Sequence, residues 1–120
     1  MPARVLIIED DEQVASVIQQ GLQYLLMDLD IFAVHTLADG LQSILINPPD
    51  VIMLDLALPD ASGLDGLLAI NNASPSIPVI IITGRADKVV RDESIKHGAY
   101  GFLPKGQFRT IEAAEMVARA

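Results

Sequence analysis

Cysteine is missing from this chain altogether, which rules out disulfides, thiol catalysis and thiolate metal sites. Aromatic residues make up only 4% of the 120 positions, so Leu, Ile, Val and Ala must supply the core that a 51% hydrophobic content allows. Basic residues are scarce as well, 8 Lys and Arg against 16 Asp and Glu. The resulting net charge of −8 repels the phosphate backbone of nucleic acid but leaves hard cations and basic partner surfaces open. No apolar run reaches membrane-spanning length; the longest are strand-sized. Met1-Pro2-Ala3-Arg4 leads straight into a short apolar run ending in acids, without the long apolar region and cleavage site of a secretory signal, so a cytoplasmic setting is expected.

What is there reads as one domain over residues 1–120, with no interdomain linker, repeat or low-complexity segment. Strand-length apolar runs fall at Val5 to Ile8, Ile31 to Val34, Val51 to Leu54 and Val79 to Ile82, with a weaker one at Tyr100 to Leu103. Between them, Val14, Val17, Ile18, Gly21, Leu22 and Leu25 recur at helical spacing, as do Leu37, Leu41, Ile44 and Leu45. Leu64, Leu67, Leu68 and Ile70 predict a third helix, Val89, Val90 and Ile95 a fourth, and Phe108, Ile111, Ala114 and Val117 a fifth. Strands joined by helical crossovers are most simply parallel, and runs without polar alternation are what a sheet covered on both faces needs. The expectation is an α/β fold, a doubly wound five-stranded parallel sheet. Asn47-Pro48-Pro49-Asp50 and Ser74-Pro75-Ser76-Ile77-Pro78 punctuate helix from strand, and His97-Gly98 reads as a helix stop.

Ligands of an open parallel sheet bind beyond the carboxyl ends of its strands. There the first run meets Glu9-Asp10-Asp11-Glu12, the third ends at Asp55, the fourth at Thr83-Gly84, and the fifth is followed by Lys105. Gathered carboxylates raise one another's pKa unless a cation compensates, and oxygen donors of this kind suit Mg²⁺, which shares its coordination with phosphate. A lysine neutralises phosphate charge, a threonine hydroxyl donates to it, and Asp55 is the available nucleophile. Singly, each has a blander explanation. Asp11 and Glu12 suit a helix start, Thr83 a β-branched strand residue, and Lys105 a solvated charge. An unpartnered acid at Asp55, closing a buried run, is costly, so the joint pattern carries the argument. His35 and His97 read as surface or helix-end residues isolated from this edge, Met27 and Met53 as core filler, and Asp60 and Asp65 as loop or helix-start acids.

Val5-Leu6-Ile7-Ile8-Glu9-Asp10-Asp11, Val51 to Pro59, Ile80-Ile81-Ile82-Thr83-Gly84 and Gly98 to Lys105 together resemble the receiver domain of two-component response regulators, over essentially the whole chain. The match lies in order and spacing: acidic pair, acceptor Asp with Pro four residues on and Gly eight on, then Thr, then aromatic and Lys. The resemblance implies the flavodoxin-like receiver fold, strand order 2-1-3-4-5 with five helices. It implies Asp55 as phosphoryl acceptor from a histidine kinase or phosphotransfer protein, and Mg²⁺ held by Asp10, Asp55 and the Ala57 carbonyl, with Glu9 acting through water. Thr83 and Lys105 match the phosphate-contacting pair, and Phe102 the aromatic that follows the threonine when the face built by the fourth and fifth helices switches. That face admits a homodimer. The chain is then no enzyme beyond its own phosphoryl transfer and autodephosphorylation, touches neither membrane nor nucleic acid, and signals to an output domain or effector outside this sequence.

Departures are local. Gly106 replaces the proline that commonly follows the lysine, and a trans Lys105–Gly106 bond is predicted because cis costs about 3 kcal/mol without proline. Ala57 and Arg85 match positions that tune phosphoryl hydrolysis, so an intermediate lifetime is expected. The alternatives are a phosphorylation-independent pseudo-receiver, whose usual sign is a missing site residue, and a haloacid-dehalogenase-like phosphatase, whose nucleophile follows the first strand in an Asp-x-Asp pattern that Asp10 and Glu12 do not make. A flavodoxin-type flavin carrier would set its phosphate against acids.

Overall fold

The computed structural model describes residues 3–84, 88–105 and 110–120. Strands and helices alternate: β1 (Ala3–Ile8), α1 (Glu12–Leu25), β2 (Leu29–Val34), α2 (Leu37–Ile46), β3 (Val51–Asp55), α3 (Asp65–Ala73), β4 (Val79–Thr83), α4 (Lys88–Lys96), β5 (Gly101–Pro104) and α5 (Thr110–Arg119). The strands form one parallel sheet in the order β2-β1-β3-β4-β5, the expected doubly wound topology. Every expected apolar run forms a strand. The central ones, β3 and β4, are buried at every position because helices cover both faces.

Side-chain alternation divides the interior into two cores. Val5, Ile7, Val51, Met53, Ile80, Ile82 and Leu103 face α1 and α5, meeting Ile18, Leu22, Ala113 and Val117. Leu6, Ile8, Ile52, Leu54, Val79 and Ile81 face the other way, against Ile44 of α2 and Leu67 and Ile70 of α3, with Val90 of α4 at the edge. Helical burial follows a narrower stripe than the apolar spacing alone implies. In α1 it falls on Ala15, Ile18 and Leu22, while Val17, Leu25, Leu45, Leu68, Val89, Ile95 and Ile111 are exposed. Met53 is core, but Met27 is not: at 89% exposure it projects from the turn after α1, whose helical periodicity stops at Leu25 before a backbone of positive φ at Asp28. Phe108, assigned to the fifth helix from its spacing, lies outside the described residues.

Helix ends follow local chemistry. Asp11 is the N-cap of α1, its carboxylate accepting from the Gln13 and Val14 amides at 2.9 and 3.3 Å. Gly98 (φ 97°) takes the chain out of α4, confirming the stop at His97-Gly98, and Asn71 Nδ2 donates to the His97 carbonyl at 2.8 Å. The first turn of α2 is capped twice, by Thr36 Oγ1 accepting from Asp39 N and by Asp60, far along the chain, accepting from Leu37 N and Ala38 N at 2.8 and 2.9 Å. Among the described residues no helix is long and apolar enough to cross a membrane.

Candidate functional site at the carboxyl edge of the sheet

Strand register gathers the site. Ile8 pairs with Leu54, Asp55 with Ile82, and Thr83 with Pro104, so Glu9, Asp55, Thr83 and Lys105 all arrive at one edge. Alternation then sorts them. Glu9, Asp55 and Lys105 continue the parity of Ile7, Met53 and Leu103 and meet one another, whereas Thr83 continues that of Val79 and Ile81, on the side of α4.

Lys105 is the hub of the first group. Its Nζ donates to Asp55 Oδ2 at 3.0 Å and forms an ion pair with Glu9 Oε1. Asp55 is 2% exposed, and its Oδ1 accepts from the Ala57 amide at 3.1 Å. Glu9 has no exposure at all, its Oε2 accepting from Asp11 N at 3.2 Å, while Asp10 is exposed. Among the described residues, Glu9, Asp10 and Asp55 each bring a carboxylate oxygen within 4.8 Å of the others.

The electrostatics follow from that crowding. Burial pushes the Glu9 carboxyl up from 4.5 to about 7 and the Asp55 carboxylate adds to this, against the opposing pull of Lys105 and the Asp11 amide. Burial draws the Lys105 ammonium down, but Glu9 and Asp55 more than offset it, so its pKa stands above the ordinary value. One lysine leaves this acid cluster short of positive charge, and a hard cation with oxygen ligands fits the donors present.

On the other side of the sheet, Thr83 is 2% exposed and lines a cavity of about 460 Å³ with Leu56, Ala57, Gly84, Val90 and Glu93. Phe102, paired with Ile81, is half-buried against the same core. Thus Glu9, Asp10, Asp55 and Lys105 are brought together, Thr83 and Ala57 line the cavity on the α4 side, and Phe102 packs on that same face of the sheet, in register two positions before Thr83. Arg85 and the Lys105–Gly106 bond, for which specific expectations were stated, lie outside the described residues.

Two residues were missed. His35 is not isolated from the edge, because its Nδ1 lies 3.0 Å from the Glu9 carbonyl oxygen. Parallel pairing of Ile8 with Val34 makes Glu9 and His35 neighbours, a signal available once the strand order is known. Asp60 does stand in a loop but caps a distant helix, because the turn closed between Leu58 and Ala61 presents it to α2. His97 is a helix-end residue as expected, beside Glu93 at 3.4 Å.

The acid trio and the lysine stand at the switch edge of a doubly wound sheet, the place where that class of fold binds its ligands. The response regulator receiver domain model matches residues 5–118, and the chain belongs to that family of two-component signalling domains. Regulatory protein LuxO of Vibrio cholerae serotype O1 is 39% identical over 98 residues, 82% of this chain and 21% of that protein. The glycerol metabolism activator of Pseudomonas putida is 43% identical over 61 residues, 51% of this chain and 28% of that protein. Among solved structures, the signal receiver domain of a LuxO repressor protein from Vibrio parahaemolyticus superposes with a TM-score of 0.89 at 34% identity, covering 99% of this chain and 89% of that one. The chain spans about one fifth of the length of the curated LuxO relatives it matches.

Proposed function

We propose that this receiver is a Mg²⁺-dependent phosphorylation switch whose Asp55 accepts a phosphoryl group from the phosphohistidine of a sensor kinase or phosphotransfer protein. The observation that carries the reading is the Asp55 carboxylate, buried yet gripped by Lys105 Nζ at 3.0 Å and set within 4.8 Å of the Glu9 and Asp10 oxygens. Glu9, Asp10 and Asp55, with the Ala57 carbonyl, are the residues that would hold the metal. A bound magnesium ion neutralises the acids and the phosphoryl oxygens. An Asp55 oxygen forms the bond to phosphorus as the phosphorus–nitrogen bond of the donor breaks, and the donor imidazole, protonated at its other ring nitrogen, leaves neutral with that electron pair. Lys105 already sits where the incoming negative charge would accumulate.

The switch proposed is the displacement of Thr83 towards the new phosphoryl oxygens, with Phe102 following it on the same side of the sheet. The cavity beside Thr83 supplies room for that rearrangement. A near-complete inversion of populations requires roughly 5.5 kcal/mol of preference for the active arrangement. Helix α4 and the loop before β5 carry the exposed Val89, Ile95 and Tyr100, which suits this region to an effector, an output domain or a second copy. We further propose that the chain is not an enzyme beyond its own phosphoryl transfer and hydrolysis, and that it works in the cytoplasm without contacting nucleic acid.

Incubation with acetyl phosphate, with and without Mg²⁺, followed by intact-mass measurement, tests the reading. One phosphoryl group is expected on the wild type only with Mg²⁺, and none on Asp55→Asn. Absence of labelling on the folded wild type would favour a phosphorylation-independent pseudo-receiver.

A further inference from the structure

The Glu9 backbone is held from both sides by consecutive residues at the end of β2. Its N–H donates to the Val34 carbonyl at 3.0 Å, and its own carbonyl accepts from the next side chain along, His35 Nδ1, also at 3.0 Å. A carbonyl can only accept, so Nδ1 carries the proton whether the ring is neutral or charged. Nε2 faces the other way, 3.7 Å from the exposed carboxylate of Glu12. The imidazole is therefore committed through Nδ1 to a main-chain atom and is not itself a ligand of the acid cluster.

The bonded carbonyl belongs to the peptide that joins Glu9 to Asp10. Since that unit is planar, fixing its oxygen fixes the plane from which Asp10 departs, and with it the angle between the two acids. One of them is fully buried against Lys105 and the other is exposed, so this peptide marks the boundary where the chain turns from core to solvent. Beyond it the turn is tied down by Asp11, through its amide to Glu9 Oε2 at 3.2 Å and its carboxylate to the start of α1. On the near side His35 is the side chain that holds it.

We infer that His35 is a positioning residue for the acidic pair, orienting the Glu9–Asp10 peptide so that both carboxylates address the cation shared with Asp55. This rests on the magnesium reading given above. The donor, not the ring, is what matters, and three substitutions separate them. Asn places an N–H donor where His35 Nδ1 stands, Gln places one where Nε2 stands, and Ala has none.

Mg²⁺ affinity measured by titration calorimetry is expected to fall about tenfold in His35→Ala and His35→Gln, the scale seen when a partner that orients a metal ligand is lost, and to stay within about twofold of wild type in His35→Asn. The Mg²⁺ concentration giving half-maximal acetyl phosphate labelling should rise by the same factor, while the rate at saturating Mg²⁺ is unchanged. Loss of unfolding stability in all three variants with no change in Mg²⁺ affinity would overturn the inference, as would a Gln variant that binds like wild type or an Asn variant as weak as Ala. Wild type that takes up no magnesium overturns the magnesium reading itself. The positioning is then decided in metal-free protein by the Glu9 carbonyl ¹³C resonance, which hydrogen bonding displaces. It should move in Ala and Gln and hold in Asn; a resonance unmoved in all three refutes the role.

Discussion

Replacing Glu9 by Gln should make the metal-free protein more stable at neutral and alkaline pH while depriving it of magnesium. Glu9 titrates at about 7 in the folded protein against an ordinary 4.5, chiefly because it is wholly buried. Between those values the folded protein holds a proton on Glu9 that the unfolded chain has released. Stability therefore falls as the pH rises through that window, and above it the full cost of a buried carboxylate remains. At roughly 1.4 kcal/mol per pH unit that cost is about 3 kcal/mol. The pull of Lys105 is already contained in that value, and the imperfectly paired amide that replaces the carboxyl in the buried site reduces the expected gain of Glu9→Gln to about 1 to 2 kcal/mol at pH 8. The advantage should shrink towards zero near pH 4.5, where both side chains are neutral. Magnesium at a hundredfold excess over its Kd should stabilise the wild type by about 2.7 kcal/mol and the variant far less, reversing their order. Urea unfolding at pH 5 and pH 8, with and without MgCl₂, measures all four quantities. With no tryptophan in the chain, far-UV circular dichroism is the suitable signal. A variant no more stable than wild type at pH 8 without metal, or one that magnesium stabilises equally, would refute the reasoning.

Asp60→Ala should lower the thermal midpoint at pH 7, since two amides at the start of α2 lose their acceptor. Those amides hold the Asp60 carboxyl below its usual 3.8, so its contribution is present above that value and is lost as the pH falls through the lower folded pKa. The gap between wild type and variant should accordingly close in an acid titration followed by circular dichroism, and a gap independent of pH would sink the capping role. Gly40→Ala should destabilise by about 1 to 3 kcal/mol in chemical unfolding despite a helix-propensity gain of about 1 kcal/mol, because the new methyl would stand 2.5 Å from Ile8 Cδ1 in a filled core. Adding Ile8→Val, which removes that atom, should recover part of the loss; no recovery would place the cost elsewhere.

Much of this molecule was decided by short-range pattern. Unbroken apolar runs such as Val51 to Leu54 cannot be solvated on either face, so they dictate covered strands, and strands separated by helical spacing dictate a parallel sheet. Placing Glu9, Asp55, Thr83 and Lys105 at strand ends also required no coordinates, since each follows an apolar run. Tertiary structure alone decided which of them touch. Lys105 meets Asp55 across 50 residues of chain because the register of β3, β4 and β5 and the parity of side chains place both on the α1 and α5 side, while the same parity sends Thr83 towards α4. The bond from His35 to Glu9, the cap that Asp60 lends to α2, and the exposure of Met27 were likewise outside local reach. Hydrophobic periodicity is a property of neighbours within one segment, whereas burial and hydrogen bonding depend on which segment lies alongside, and only the assembled sheet determines that.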